Sequence, residues 1–173
     1  GMDCNPELIA AAQNNTAKLG FSDRFALHTG ELADTRFLEN LRMEASPVQL
    51  VMANPPWRLV GSGRLPATEA RQKALFGDKG TFPLFASAAS SLLEEDGRFA
   101  CIISPDRLQD MLAALDGAGL TPYLLQYIHK QKTSPAPFVL IEARKGAHAK
   151  PSVAEPIALY GPERFFTLES LAF

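Results

Sequence analysis

Cysteine is almost missing from this chain: Cys4 and Cys101 are the only two among 173 residues, and no histidine cluster accompanies either. That argues against a disulfide framework and a zinc site, so two buried thiols and no bound metal are expected. Histidine is scarce as well; His28, His129 and His148 are dispersed, and none is given a role. No apolar run approaches the roughly 20 residues that cross a bilayer. The opening Gly1-Met2-Asp3-Cys4-Asn5 lacks the basic and apolar regions of a signal peptide. A cytoplasmic protein without membrane contact is therefore expected. Neither sign of charge dominates, since the formal net charge is -2, and no repeat or low-complexity segment is present. What remains is ordinary: a hydrophobic share of 46% suits one globular domain with its own core, expected to span residues 1–173.

The distribution of charge is less even than its total. From Arg58 to Lys73, the cations Arg58, Arg64, Arg71 and Lys73 face Glu69 alone; from Tyr123 to Lys150, the cations Lys130, Lys132, Arg144, Lys145 and Lys150 face Glu142 alone. Most charge runs are solvated faces. Two of them flanking one site would also suit phosphate contacts.

Patterning predicts alternating helices and strands. Asn5 can cap a helix with Pro6 at its first position and Gly20 beyond its end. A strand is predicted at about 25–29, a helix at 32–42 and a strand at 49–53. Residues 57–79 read as a long loop, with a short helix near 68–75. A helix over 81–95, a turn at Asp96-Gly97, a strand over 98–104 and a helix from Pro105 follow. Strands at 120–130 and 138–144 complete the chain. Alternation up to residue 120 predicts a parallel sheet covered by helices, with the last strand pair as an antiparallel edge.

The most informative residues are Asn54-Pro55-Pro56-Trp57, directly after the apolar run Gln49-Leu50-Val51-Met52-Ala53. A Pro-Pro pair after a strand is commonly just a rigid loop. Here Asn54 offers a side-chain carbonyl and Pro55, without an N–H, offers only an acceptor, so two acceptors can take the two hydrogens of a planar amino group. Trp57 can stack on the ring that carries it.

This motif resembles the Asn-Pro-Pro-aromatic signature of amino-group methyltransferases that use S-adenosylmethionine. Gly63-Arg64-Leu65-Pro66, Ala70-Arg71, Gly80-Thr81, Leu92-Leu93, Gly97-Arg98-Phe99, Asp106-Arg107-Leu108 and Val139 to Gly146 extend the likeness to the tRNA1(Val) adenine-37 N6-methyltransferase family, and it is expected to cover nearly the whole chain. The resemblance implies a Rossmann-like seven-stranded methyltransferase fold and S-adenosylmethionine as cofactor. It implies that Asn54, Pro55, Pro56 and Trp57 form the catalytic motif. Asp3 would meet the cofactor's ribose hydroxyls, Cys4 would lie beside its adenine, Glu31 with Leu32 would meet the adenine amine, and Asn54 would border the cofactor. Trp57, Arg64, Arg71, Lys130, Lys132 and Lys145 are the expected substrate contacts, with tRNA as partner. An unpaired anticodon-loop base suits such a site because little unstacking is required.

Two departures from the family stand out. Its first strand and Gly-rich turn have no counterpart before Asp3, and Gly61-Ser62-Gly63 follows the motif instead of a first strand. With Gly1 before Met2 read as a cloning remnant, a truncated or misassigned gene start is expected, along with an open sheet edge that a homodimer could cover. The family's Ala-Arg-His-Glu stretch is also replaced by Ala74-Leu75-Phe76-Gly77. Other readings are the same fold acting on ribosomal RNA guanine N2, DNA adenine or a release-factor glutamine, and a non-catalytic remnant that has lost cofactor binding.

Overall fold

Asn5 starts the first helix as its sequence requires, its side-chain oxygen accepting from the Glu7 amide at 2.9 Å with Pro6 next in line. In this computed structural model, residues 1–45, 47–59, 68, 72, 74–146, 150–161, 163, 165–167 and 170 are described. They fold as two compact units, Gly1–Glu44 and Ala45–Phe173.

The first unit contains β1 (Met2–Asp3), α1 (Pro6–Lys18), a 3-10 turn (Ser22–Arg24), β2 (His28–Thr29) and α2 (Thr35–Ala45). β1 and β2 pair in parallel, Met2 with His28 and Asp3 with Thr29. The strand predicted from Phe25 shrinks to its last two residues because the 3-10 turn precedes it and leaves Phe25 exposed. α2 begins three residues later than predicted. Asp34 takes the capping role, its Oδ1 accepting from the Phe37 amide at 3.1 Å.

The second unit is built on a sheet in the order β10 (Ile157–Ala158), β7 (Leu120–His129), β8 (Phe138–Lys145), β6 (Leu93–Ile103) and β3 (Val48–Ala53), with β9 (Ser152–Val153) also on β7. β3 runs parallel to β6, whereas β8 is antiparallel to both β6 and β7. The predicted antiparallel pair is present, but β8 lies inside the sheet and not at its edge. Its alternate residues Val139, Ile141 and Ala143 are fully buried, and its backbone is hydrogen-bonded on both sides.

Two helices cover the buried face, α3 (Thr81–Leu92) and α4 (Leu108–Gly117). α3 presents Phe82, Ala86 and Ala89 at helical spacing, and α4 presents Met111, Ala114 and Leu115. They meet Phe99, Cys101 and Ile103, which alternate along β6. Each large side chain sealed there contributes about 1.5–3 kcal/mol. Asp96, with φ 63°, and Gly97 turn the chain inside β6, where the register slips between the Val48–Leu93 and Leu50–Arg98 pairs.

β3 pairs only with β6 among the described residues. Val51 and Ala53 pack on the core, whereas Leu50 and Met52 on its other face are 42% and 76% exposed. The continuous apolar run reads like a strand buried on both faces, and here only one face is covered.

The two thiols differ from each other: Cys101 is buried as expected, and Cys4 is not. Cys101 is buried, and desolvation pushes its pKa up to about 12, whereas Cys4, next to the two-residue β1, is exposed. A thiol reagent at neutral pH should modify Cys4 and spare Cys101 until the protein is unfolded. Rapid reaction of both thiols in native protein would contradict this packing.

Candidate active site

The carboxyl ends of β3, β6 and β7 lie at one end of the second unit's sheet. The register fixes this: Ala53 pairs with Cys101, Ile103 with Val139, and Ile128 with Phe138. Ligands of parallel α/β sheets bind at such ends. Here the chain leaves β3 as Asn54-Pro55-Pro56-Trp57, leaves β6 as Ser104-Pro105-Asp106-Arg107, and leaves β7 toward Lys130 and Lys132.

The four motif residues differ in exposure. Asn54 is exposed, and its side-chain amide has no hydrogen-bond partner among the described residues. Pro55 is fully buried, while Pro56 and Trp57 are half-buried. The two acceptors expected to face an amino group are therefore unequal: Asn54 stands open, and the Pro55 carbonyl belongs to a covered residue.

Three contacts fix the rest of the motif. β4 (Arg58–Leu59) pairs in parallel with β5 (Phe76–Gly77), Arg58 with Phe76 and Leu59 with Gly77. Gly77 lies against the Pro56 carbonyl so closely that a Cβ there would stand 2.6 Å from that oxygen and 2.7 Å from Thr81 Oγ1. The Trp57 carbonyl accepts from Arg107 Nη1 at 3.0 Å. The replaced stretch Ala74 to Gly77 thus supplies the strand that supports the motif.

The Trp57 ring meets Phe138 edge-on, with centroids 6.2 Å apart, and carries the Arg58 guanidinium 5.3 Å from its centroid. Arg58 is exposed, so this cation–π contact contributes about 0.5–1 kcal/mol, whereas stacking of a base contributes about 1–3 kcal/mol.

The expected substrate cations do not converge as a set. Lys130 and Lys132 are exposed and lie in the connection from β7 to Phe138, at the same sheet end as the motif. Lys145 is a correction. It ends β8, about 24 Å along the strand from Phe138. There it donates to the Ser90 and Leu93 carbonyls at 2.9 and 2.8 Å, with Glu95 at 3.9 Å. Its ammonium closes the carboxyl end of α3, where positive charge is favoured. Arg64 and Arg71 lie outside the described residues.

The expected cofactor residues of the first unit gather at the carboxyl ends of its own two strands. Asp3 ends β1 and Gly30-Glu31-Leu32 follows β2, with the Gly30 amide donating to the Asp3 carbonyl at 3.1 Å. One Asp3 carboxylate oxygen accepts from the Asn5 amide at 2.8 Å, and Glu31 and Cys4 are exposed. The Phe37 ring packs closely over Gly30, so that a Cβ there would stand 2.4 Å from it and the ring would have to shift.

Sequence reasoning gave Arg107 and Gly77 no role. A single arginine in the turn after β6 and a single glycine in a long loop carry weak signals, and their importance comes from the carbonyls they meet. Gly77→Ala should destabilise the protein by about 1–3 kcal/mol and shift the emission of Trp57, the only tryptophan. Unchanged thermal unfolding and unchanged emission would remove Gly77 from the support of the motif.

No protein-family model matches the chain. Over 113 residues it is 33% identical to the tRNA1(Val) (adenine(37)-N6)-methyltransferase of Porphyromonas gingivalis, a match covering 64% of this chain and 42% of the relative. The chain thus spans less than half the length of the curated relatives it matches. A predicted O-methyltransferase from Agrobacterium tumefaciens superposes with a TM-score of 0.71 at 19% identity, covering 96% of this chain and 72% of that one. A Listeria monocytogenes protein provisionally assigned as a class I S-adenosylmethionine-dependent methyltransferase superposes with a TM-score of 0.58 at 18% identity, covering 95% and 51%. At these identities the solved structures establish architecture alone, and the chain has the fold of the S-adenosylmethionine-dependent methyltransferases.

Proposed function

We propose that this chain binds S-adenosylmethionine and methylates an exocyclic amino group, with N6 of an adenine in tRNA as the acceptor. The observation that carries the reading is Asn54, exposed and unpartnered among the described residues at the carboxyl end of β3, on a loop whose Trp57 carbonyl is held by Arg107 and whose Pro56 carbonyl packs against Gly77. The tRNA acceptor is supported by the Porphyromonas gingivalis relative, whose activity is on adenine 37 of tRNA1(Val).

The residues present fit the cofactor. Asp3 keeps one carboxylate oxygen clear of its turn bond for ribose hydroxyls, and Glu31 is exposed at the end of β2 to accept from an adenine amine. When bound, S-adenosylmethionine supplies an activated methyl group, so the protein contributes orientation and electrostatics and no covalent nucleophile. An adenine amine is a weak nucleophile because its lone pair is delocalised into the ring. Asn54 Oδ1 accepts one of its hydrogens and fixes its plane, and the carbonyl of the buried Pro55 is the proposed second acceptor. Trp57 stacks on the base in place of Arg58, which is then free to meet phosphate, alongside Lys130 and Lys132.

Titration calorimetry with S-adenosylmethionine is the direct test: micromolar binding is expected, and absence of binding favours the reading of a remnant without cofactor. In a chain that transfers methyl groups to unmodified tRNA, Asn54→Ala should lower the rate by about 100-fold or more with little change in thermal stability. Full retention of activity would remove the mechanism. Among the described residues β3 pairs only with β6, and a homodimer through its other edge is the arrangement we propose. Sedimentation equilibrium should give twice the chain mass, and a strictly monomeric species would reject that pairing.

A further inference from the structure

The geometry assigns Arg107 as the residue that positions the amino-group motif, holding the Trp57 carbonyl so that the loop after β3 keeps one conformation. For its catalytic consequence this assignment rests on the amino-group transfer proposed above; for its structural content it does not.

Among the described residues Arg107 is the one charged or polar residue that is buried, with 6% of its surface exposed. A buried charge is costly unless it is paired and hydrogen-bonded, and an apolar side chain of similar length would cover Phe82 without that cost. What an apolar side chain lacks is a set of directed donors. Arg107 Nε donates to Asp110 Oδ2 at 2.7 Å, Nη1 donates to the Trp57 carbonyl at 3.0 Å, and the guanidinium lies over the Phe82 ring at 4.5 Å from its centroid. Two bonds from a planar fork and a ring against its face determine both position and orientation. The Asp110 side chain is 61% exposed, so the ion pair keeps one hydrated partner and acts mainly as a guide for the fork.

The bond to Trp57 spans 50 residues of sequence and does two things at the site. It fixes the peptide that joins Trp57 to Arg58, and hence where the indole begins and where β4 starts. It also occupies an acceptor that would otherwise compete for the hydrogens of an incoming amino group. With the Pro56 carbonyl packed against Gly77, Asn54 is left as the open acceptor.

Because Trp57 is the only tryptophan, its fluorescence reads the loop directly, whether or not the chain is active. Arg107→Met keeps the length over Phe82 and removes the donors. Acrylamide quenching of Trp57 should rise by roughly twofold or more as the loop opens locally, with far-UV circular dichroism unchanged. Arg107→Lys, with one point donor and no fork, should fall between. Where methyl transfer is measurable, Arg107→Met should lower kcat by about 10- to 100-fold while cofactor affinity stays within about twofold. Wild-type quenching in Arg107→Met, with only a lower melting temperature, would overturn the assignment and leave Arg107 a packing residue. If Arg107→Met does not fold, Asp110→Asn decides at an exposed position: raised quenching supports the assignment and unchanged quenching rejects it. A wild-type chain that transfers no methyl group would defeat the functional reading, and the quenching comparison would still judge Arg107.

Discussion

A guanidinium enclosed by protein has to be given acceptors, and meeting that need at Arg107 joins three parts of the chain that are far apart in sequence. Phe82 opens the helix α3, Arg107 follows β6, and Trp57 follows β3. The same side chain therefore relates the covering helix, the central strand and the motif loop. Its burial raises the cost of any alternative loop conformation, since moving the Trp57 carbonyl away would take an acceptor from a largely buried donor.

Around that contact the second unit divides its labour by strand end. At the amino ends of β6 and β7, Lys145 and the Asp96-Gly97 turn are structural: a helix is closed and a strand irregularity is accommodated. At the carboxyl ends, exposed polar groups and loops collect. A parallel strand presents unpaired backbone and divergent loops there, which is why chemistry accumulates at that end of such sheets. The first unit repeats the arrangement on a smaller scale, with Asp3 and Glu31 at the carboxyl ends of two short parallel strands.

The motif is built for restraint more than for reactivity. Two prolines limit its backbone, Gly77 admits the Pro56 carbonyl, and Arg107 holds the next one. On the proposed reading the acceptor is a weakly nucleophilic amine, for which a rigid acceptor group contributes by orientation. Arg58 over the indole keeps an apolar surface covered in the free protein at an energy that a stacked base exceeds.

Local signals were legible wherever one residue type decides the conformation. Asn5-Pro6 announced α1, the Asp96-Gly97 turn announced a strand running on to Ile103, and Ser104-Pro105 announced the helical segment that leads into α4. Other outcomes depended on contacts between distant segments. The start of α2 was set by whether Asp34 or an earlier residue captured the free amides, and the interior place of β8 was set by pairing on both of its sides. Lys145 read as one more cation in a basic run, and only the fold turned it toward the carbonyls of α3. Sequence alone determined α1, the body of α3 and α4 and most of β3, β6, β7 and β8, and it singled out Asn54 as a polar acceptor at the end of β3. Tertiary structure alone decided that Asn54 stays open, that Pro55 is covered and that Arg107 reaches Trp57, because a hydrogen bond across 50 residues depends on where the chain returns and not on what it is next to.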